Sequence, residues 1–303
     1  MMDQAEKLRQ IIDNLKLRQS ANSTNVLNDA RNKSAKVITV TSGKGGVGKT
    51  NIAINMAIAL SEMGKRVTIM DADLGLANID VLLGIIPKYT LVDVIYNNKN
   101  IIEVLSDGPK NIKFVAGGSG IEELTKLDSY QLQKFVSNIA LLDKMSDVIL
   151  IDTGAGLSDS VMSFVMAADE VILVATPEPT SITDAYAMIK MVSNRDTNKT
   201  VRLIVNRAES INEANDIINK LTVVTEKFLK LKLLPLGYIL QDDMVLKAVK
   251  MQQPFSVIYP KTIASKHIKE ISKKLLEFKE TGKATENQGI KGFVGRLINI
   301  ING

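Results

Sequence analysis

One eight-residue run constrains this chain more than any other: Gly43-Lys44-Gly45-Gly46-Val47-Gly48-Lys49-Thr50, directly after the apolar segment Val37–Thr41. It fits G-x-x-x-x-G-K-[ST], a loop that works only between a strand and a helix. Its glycines let backbone N–H groups curl around phosphate oxygens. Lys49 supplies a point charge to the outer phosphates, and the Thr50 hydroxyl reaches Mg²⁺. The run predicts a strand–loop–helix opening and a phosphate-bearing ligand. A glycine-rich turn without a ligand is the alternative, and the flanking strand and helix argue against it.

Further short β-rich runs recur between helical stretches: Val67–Met70, Lys113–Val115, Val148–Ile151, Val171–Ala175, Arg202–Val205 and Leu236–Ile239. Most are continuously apolar, as expected of strands covered by helices on both faces. They predict one doubly wound α/β domain with a mostly parallel sheet over residues 36–278, closing with a helix at Ile263–Phe278. Before it, residues 1–18 read as a short helix with Ala5, Leu8, Ile11, Ile12 and Leu15 on one face, and 19–35 as a flexible linker. After it, 279–289 reads as a second linker and 290–303 as an amphipathic helix.

Composition removes several chemistries. The chain has no Cys and a single His, His267, among 303 residues. Disulfides, thiolate metal sites and Cys- or His-based covalent catalysis are excluded, so any metal is held by oxygen. Catalysis must then rest on positioning and electrostatics. A net charge of +5 suits acidic lipid or nucleic acid, or simply a solvated lysine-rich surface. No apolar run is long enough to span a bilayer and the N-terminus lacks a signal-peptide pattern, so a cytoplasmic location is expected.

Carboxylates end two of the expected strands. Asp71-Ala72-Asp73 follows Val67–Met70, and Asp152-Thr153-Gly154-Ala155-Gly156 follows Val148–Ile151. At the carboxyl ends of parallel strands they face the crevice where α/β sheets bind ligands. Asp152 takes the position expected to reach Mg²⁺ through water. Of Asp71 and Asp73, one can orient attacking water and the other can support Mg²⁺. The glycines after Asp152 allow a loop to respond to a γ-phosphate.

The second lysine of the loop, Lys44, makes the chain resemble the deviant-Walker P-loop ATPases that include MinD and ParA. The resemblance covers roughly residues 36–278. It implies a slow ATPase that binds ATP and ADP with Mg²⁺, and an ATP-dependent homodimer in which Lys44 reaches the partner's nucleotide. It also implies that Asp73 positions the water, with Asp71 in the metal shell beside Thr50 and Asp152. Asn206-Arg207-Ala208-Glu209 does not fit the guanine-specific Asn/Thr-Lys-x-Asp pattern. The Asn206-Arg207 pair resembles the family's adenine site, and Gln241 and Asp242 lie in its base loop, which carries proline where this chain has Leu240. Residues Gly43 to Thr50 and Asn51 complete the expected nucleotide contacts, and Thr176–Ser181 with Asp184 match the loop and helix after strand five.

The two ends choose among members. Missing cysteines argue against the iron–sulfur scaffold ATPases and the nitrogenase iron protein. Ile290, Phe293, Val294, Leu297, Ile298 and Ile301 recur at i, i+3, i+4, i+7, i+8 and i+11, one apolar stripe beside Lys291 and Arg296. This resembles the membrane-targeting helix of MinD-type ATPases, with anionic lipid as partner and reversible residence at the inner face of the membrane; docking on its own domain is the alternative. Asp3-Gln4-Ala5-Glu6-Lys7-Leu8-Arg9 resembles the activator motif of the flagellar-number branch, FlhG (YlxH or FleN). That implies a helix that binds the SRP-type GTPase FlhF through Asp3, Gln4, Leu8 and Arg9 and stimulates hydrolysis through Gln4. Flagellar switch-complex proteins are further expected partners. A division-site ATPase like MinD, or a partition ATPase that coats DNA, remains the alternative, although DNA is not an expected partner here.

Overall fold

The computed structural model describes residues 34–73, 78–117, 129–277 and 289–302. In chain order the elements are β1 (Lys36–Thr41), α1 (Lys49–Glu62), β2 (Val67–Ala72), α2 (Ile79–Leu83), α3 (Leu91–Tyr96), α4 (Ile101–Val104), β3 (Ser106–Asp107) and β4 (Lys113–Val115). Then come α5 (Ser129–Ile139), α6 (Leu142–Met145), β5 (Val148–Thr153), α7 (Asp159–Ala167), β6 (Glu170–Ala175), α8 (Pro179–Arg195) and β7 (Thr200–Ala208). The chain closes with α9 (Ile211–Leu229), β8 (Leu233–Leu240), α10 (Asp243–Lys250), α11 (Phe255–Ile258), α12 (Ile263–Glu277) and α13 (Gly289–Asn302).

The strands form one eight-stranded sheet in the order β3-β4-β2-β5-β1-β6-β7-β8. Every pairing is parallel except β3 with β4. All seven expected strands are present. Two-residue β3 is the addition, an antiparallel edge too short to show in the hydropathy pattern. The winding reverses at β1, between β5 and β6, so the carboxyl ends of these strands open the crevice described below.

Alternate residues of each strand feed opposite faces. Ile38, Val40, Leu150, Ile172 and Ile204 join α1 and α12 in one core cluster. Val37, Ile149 and Ile151 join α7 and α13 in another. Helix α1 is buried almost all round, from Ile52 to Leu60, which explains why its sequence lacks an amphipathic stripe.

Helix α13 takes the docked arrangement, the alternative to membrane binding. Its stripe lies in the core: Ile290, Phe293, Val294 and Leu297 are buried and Ile298 is half-buried. Phe293 stacks on Phe164 of α7, ring centroids 6.2 Å apart. Asp143 caps the helix, accepting from the Ile290 N–H at 2.9 Å. Arg296 donates to the Ala167 carbonyl at 2.7 Å and pairs with Asp169 at 2.8 Å. An exposed stripe of this size in water has no stable place, and the groove formed by α7, α5 and α6 over β1 supplies apolar cover worth roughly 1.5–3 kcal/mol per large side chain.

Two boundaries also move. Ala35, expected in the linker, is buried at 1% and donates its N–H to Asp143 at 3.1 Å. Gly289 is the first residue of α13. The expected N-terminal helix at 1–18 and most of both linkers lie outside the described residues.

If α13 belongs to the cooperative fold, Phe293→Ala should destabilise the domain by about 3–5 kcal/mol in urea unfolding, the range for a truncated core phenylalanine. An unchanged midpoint would show that the helix is not part of that core.

Candidate nucleotide site

Strand β1 delivers the loop at 43–50 to the middle of the crevice. Gly48 carries φ +94°, and a Cβ there would stand 2.6 Å from the Asn206 amide nitrogen. A Cβ at Gly43 would stand 2.4 Å from the Asp184 carbonyl oxygen. Both positions therefore demand glycine for space, and Gly48 also for backbone conformation. No side chain caps α1 at Gly48, so its first N–H groups point into the loop, as an anion site requires.

Lys49 opens α1 and is 8% exposed. Burial holds its ammonium below the ordinary lysine range, and the charges of Asp152 and Asp73 oppose that drop. Asp152 ends β5 with no exposed surface. It pairs in register with Val40 of β1 and Asp71 of β2. Burial pushes its carboxyl up to about 7; the Thr50 hydroxyl and Lys49 pull it down, while Asp71 and Asp73 add to the rise. Neither of its oxygens makes a hydrogen bond of normal geometry.

That orphaned carboxylate beside the Thr50 hydroxyl is the donor set Mg²⁺ takes up when it arrives with phosphates. Among the described residues no group of three or more carboxylates or histidines is arranged to hold a metal alone, so the phosphates must complete the site. Asp152 and Thr50 fit that metal.

Asp71 is engaged by the backbone. Its carboxylate accepts from three backbone N–H groups, Asp73 at 3.0 Å, Asn78 at 3.0 Å and Ile79 at 3.3 Å. A carboxylate 1% exposed at a strand end needs partners, and here it obtains them by shaping the turn that carries Asp73. Asp73 accepts from the Asn78 amide at 3.3 Å and borders the phosphate cleft, a cavity of about 370 Å³ that also touches Lys49, Thr50 and Ala155.

A second cavity of about 330 Å³ adjoins this cleft, sharing Gly48, Asn51 and Arg207 with it. Asn206, Leu240, Gln241 and Asp242 line it, so the residues expected to meet a base do come together. Asn206 donates its amide N–H to the Val47 carbonyl at 2.7 Å. That leaves its second amide N–H and its Oδ1, a donor and an acceptor side by side, which match the N7 acceptor and exocyclic amine of adenine. Arg207 sits at a bulge between β7 and β8 with φ +58°, a conformation that bulky residues seldom adopt outside functional sites. Asp242 caps two helices, accepting from Met244 of α10 at 2.9 Å and Ala264 of α12 at 3.2 Å.

Lys44 stays out of its own cleft. Its ammonium pairs with Glu178 at 2.5 Å and donates to the Thr180 hydroxyl at 3.0 Å. Glu178 and Thr180 lie in a segment that the sequence marks, but only the fold reveals their partner. The apolar stripe Phe293, Val294, Leu297 and Ile298 is not part of this site. The side chain of Ile301, together with Asp3, Gln4, Leu8 and Arg9, lies outside the described residues.

Comparison with known proteins agrees with this geometry. The ParA family model, described as NUBPL iron-transfer P-loop NTPase, matches residues 33–276. The chain belongs to the ParA/MinD family of P-loop ATPases. It is 45% identical to the antiactivator FleN of Pseudomonas aeruginosa over 79% of this chain and 86% of that one. It is 33% identical to the flagellum site-determining protein YlxH of Helicobacter pylori, over 88% and 90%. Among solved structures, MinD in the MinC:MinD complex of Aquifex aeolicus superposes with a TM-score of 0.64 at 27% identity, over 82% of this chain and 99% of that one. The chain is accordingly an ATPase that works with ATP and Mg²⁺. Iron transfer in the family description finds no thiolate ligands in a chain without cysteine. No described helix is long and apolar enough to cross a membrane.

The raised carboxyl of Asp152 has a consequence for stability. Between the unfolded value near 4 and the folded value of about 7, the folded state holds a proton that the unfolded chain has lost. Stability of the nucleotide-free protein therefore falls as pH rises across that window. Asp152→Asn should raise its thermal midpoint at about pH 8, change it little at about pH 4, and abolish Mg²⁺-dependent ATP hydrolysis. A lower midpoint at the higher pH would contradict a carboxylate for which burial outweighs its partners.

Proposed function

We propose that this ATPase is a dimerising, nucleotide-timed switch that acts at the membrane and sets flagellum number or placement, in part by stimulating the GTPase FlhF. The observation that carries the switch is Lys44. Lys49 already serves the protein's own phosphates, whereas Lys44 is 38% exposed and held only by surface partners, Glu178 and Thr180. An exposed ion pair of this kind is worth about 0–1 kcal/mol, so a bound nucleotide on a second subunit can outbid it. In this reading two ATP molecules lie between two subunits, each completed by the partner's Lys44. Asp73 orients the water that attacks the γ-phosphorus, and the base fills the cavity at Asn206, Arg207 and Gln241. Hydrolysis ends the dimer.

The flagellar output rests on the kinship with FleN and YlxH and on the sequence of the N-terminal segment. The membrane part requires α13 to leave its groove, since the stripe that would enter lipid is the one now packed on Phe164. A single short helix binds lipid marginally, and two helices in one dimer gain an effective-concentration advantage on the order of 10²–10⁴. ATP would therefore control residence through valency.

Asp73→Ala should bind MgATP, lose turnover, sediment as a dimer and float with anionic liposomes, while the same protein with ADP should remain monomeric and unbound. A monomer with ATP would refute the sandwich; a dimer that stays off liposomes would refute the membrane part. Separately, a peptide of residues 1–20 should accelerate GTP hydrolysis by FlhF, and Gln4→Ala should lose the acceleration yet retain binding. A peptide that neither binds nor accelerates would leave the ATPase without this output.

A further inference from the structure

We infer that His267 is a positioning residue for adenine-nucleotide binding, holding the wall Leu240-Gln241-Asp242 in place through a hydrogen bond to Leu240. The inference rests on the cavity at Asn206 being the base site. His267 is the chain's only histidine and has no part in the roles assigned so far. It lies half-buried on α12, where its Nδ1 accepts from the Leu240 N–H at 3.4 Å. The Tyr238 ring meets it edge-on, centroids 5.1 Å apart, which restricts its orientation.

The three-residue wall is fixed at each position. Ala264, nearly one turn earlier on α12, donates to Asp242 at 3.2 Å. The Gln241 N–H donates to the Ala208 carbonyl at 2.8 Å. Leu240 is held by His267. Helix α12 thus grips both ends of the wall, and its residues Ile268 and Ile271 share a core cluster with Ile52 and Met56 of α1. The helix that carries Lys49 and the wall that faces the base are connected through one rigid element. Leucine at 240 has an N–H that proline would lack, and in a half-buried strand end that donor needs an acceptor.

The chemistry fixes the tautomer. Nδ1 must carry the lone pair, so the neutral ring holds its proton on Nε2. Protonation would turn Nδ1 into a second donor aimed at a donor, and the wall would lose its hold. Among the described residues the titratable groups facing the ring are Glu270 on α12 and the Tyr238 phenol on β8. Burial lowers the pKa of His267, with Glu270 opposing. The neutral, accepting form therefore prevails at neutral pH, and nucleotide affinity is lost as pH falls below the ordinary histidine range.

The test uses the full chain and MgADP. His267→Ala should raise the dissociation constant roughly three- to tenfold, the range for one neutral hydrogen bond. His267→Asn, whose Oδ1 can stand in for Nδ1, should restore wild-type affinity at pH 7.5 and show a smaller weakening toward pH 5.5 than wild type, the part they share being that of Asp152. Should His267→Ala fail to fold, the pH profiles of wild type and His267→Asn decide alone. A Leu246→Trp background, in a chain with no other tryptophan, reports on the cavity itself. If that indole responds to MgADP while both His267 variants match wild type at every pH, the base site stands and this inference falls. If the indole is silent, the base site falls and the inference with it.

Discussion

A carboxylate without exposed surface, Asp152, stands where three parallel strands end side by side, with the Thr50 hydroxyl and Lys49 beside it and no hydrogen bond of normal geometry. Removing a charge from water without a partner is among the least favourable things a fold can do. The surrounding architecture answers that constraint. Lys49 is brought close by the loop after β1, and the neighbouring Asp71 is prevented from becoming a second orphan by three amide donors. Those same donors belong to Asp73, Asn78 and Ile79, so the shape of the turn that presents Asp73 depends on Asp71 being satisfied. In the proposed reading, nucleotide and Mg²⁺ would supply a partner to a group inside the protein's core. Binding there stabilises the native state by mass action and changes the electrostatics of the strand ends together.

Strand β5 connects this site to the other face of the sheet. Its last apolar residues, Ile149 and Ile151, pack in the cluster that contains Phe293 of α13, and the next residue is Asp152 itself. Helix α13 also shares carboxylates with the start of β1. Asp143 accepts from Ala35 and from Ile290, and Asp169 accepts from Val37 while pairing with Arg296. The segment leading in from the N-terminus and the C-terminal helix are therefore fastened to the same two side chains.

The sequence disclosed the parts of this molecule whose physics is local. Continuous apolar runs marked seven strands because parallel strands are covered on both faces, and the glycines at 43, 46 and 48 marked the phosphate loop because the backbone there must curl. Aspartates at strand ends were legible for the same reason. Three things were not, because each depends on partners far along the chain. An amphipathic stripe has the same periodicity whether lipid or a protein groove covers it, so Phe293 and Leu297 could not reveal that their cover is Phe164. Asp71 and Asp73 look alike in sequence, and only the placement of Asn78 and Ile79 separates a loop-shaping carboxylate from one that borders the cleft. His267 lies 27 residues from the Leu240 amide it accepts from, and nothing in either segment signals the pair.

The docked helix also sets a thermodynamic condition on any reading in which it moves. A ligand shifts a conformational equilibrium only by its differential affinity for the two states. Drawing α13 off the domain exposes four buried apolar side chains and the groove they fill, and it parts Asp169 from Arg296. Part of the exposed stripe would be covered again in lipid; the groove would not. ATP must therefore contribute in one of two ways: by weakening the docked state through the strands that carry both Asp152 and Ile151, or by doubling the number of helices that reach the membrane at once. The second needs no distortion of the sheet, and the first would have to move residues that are fully buried on both faces of a close-packed strand. Valency is the physically cheaper route.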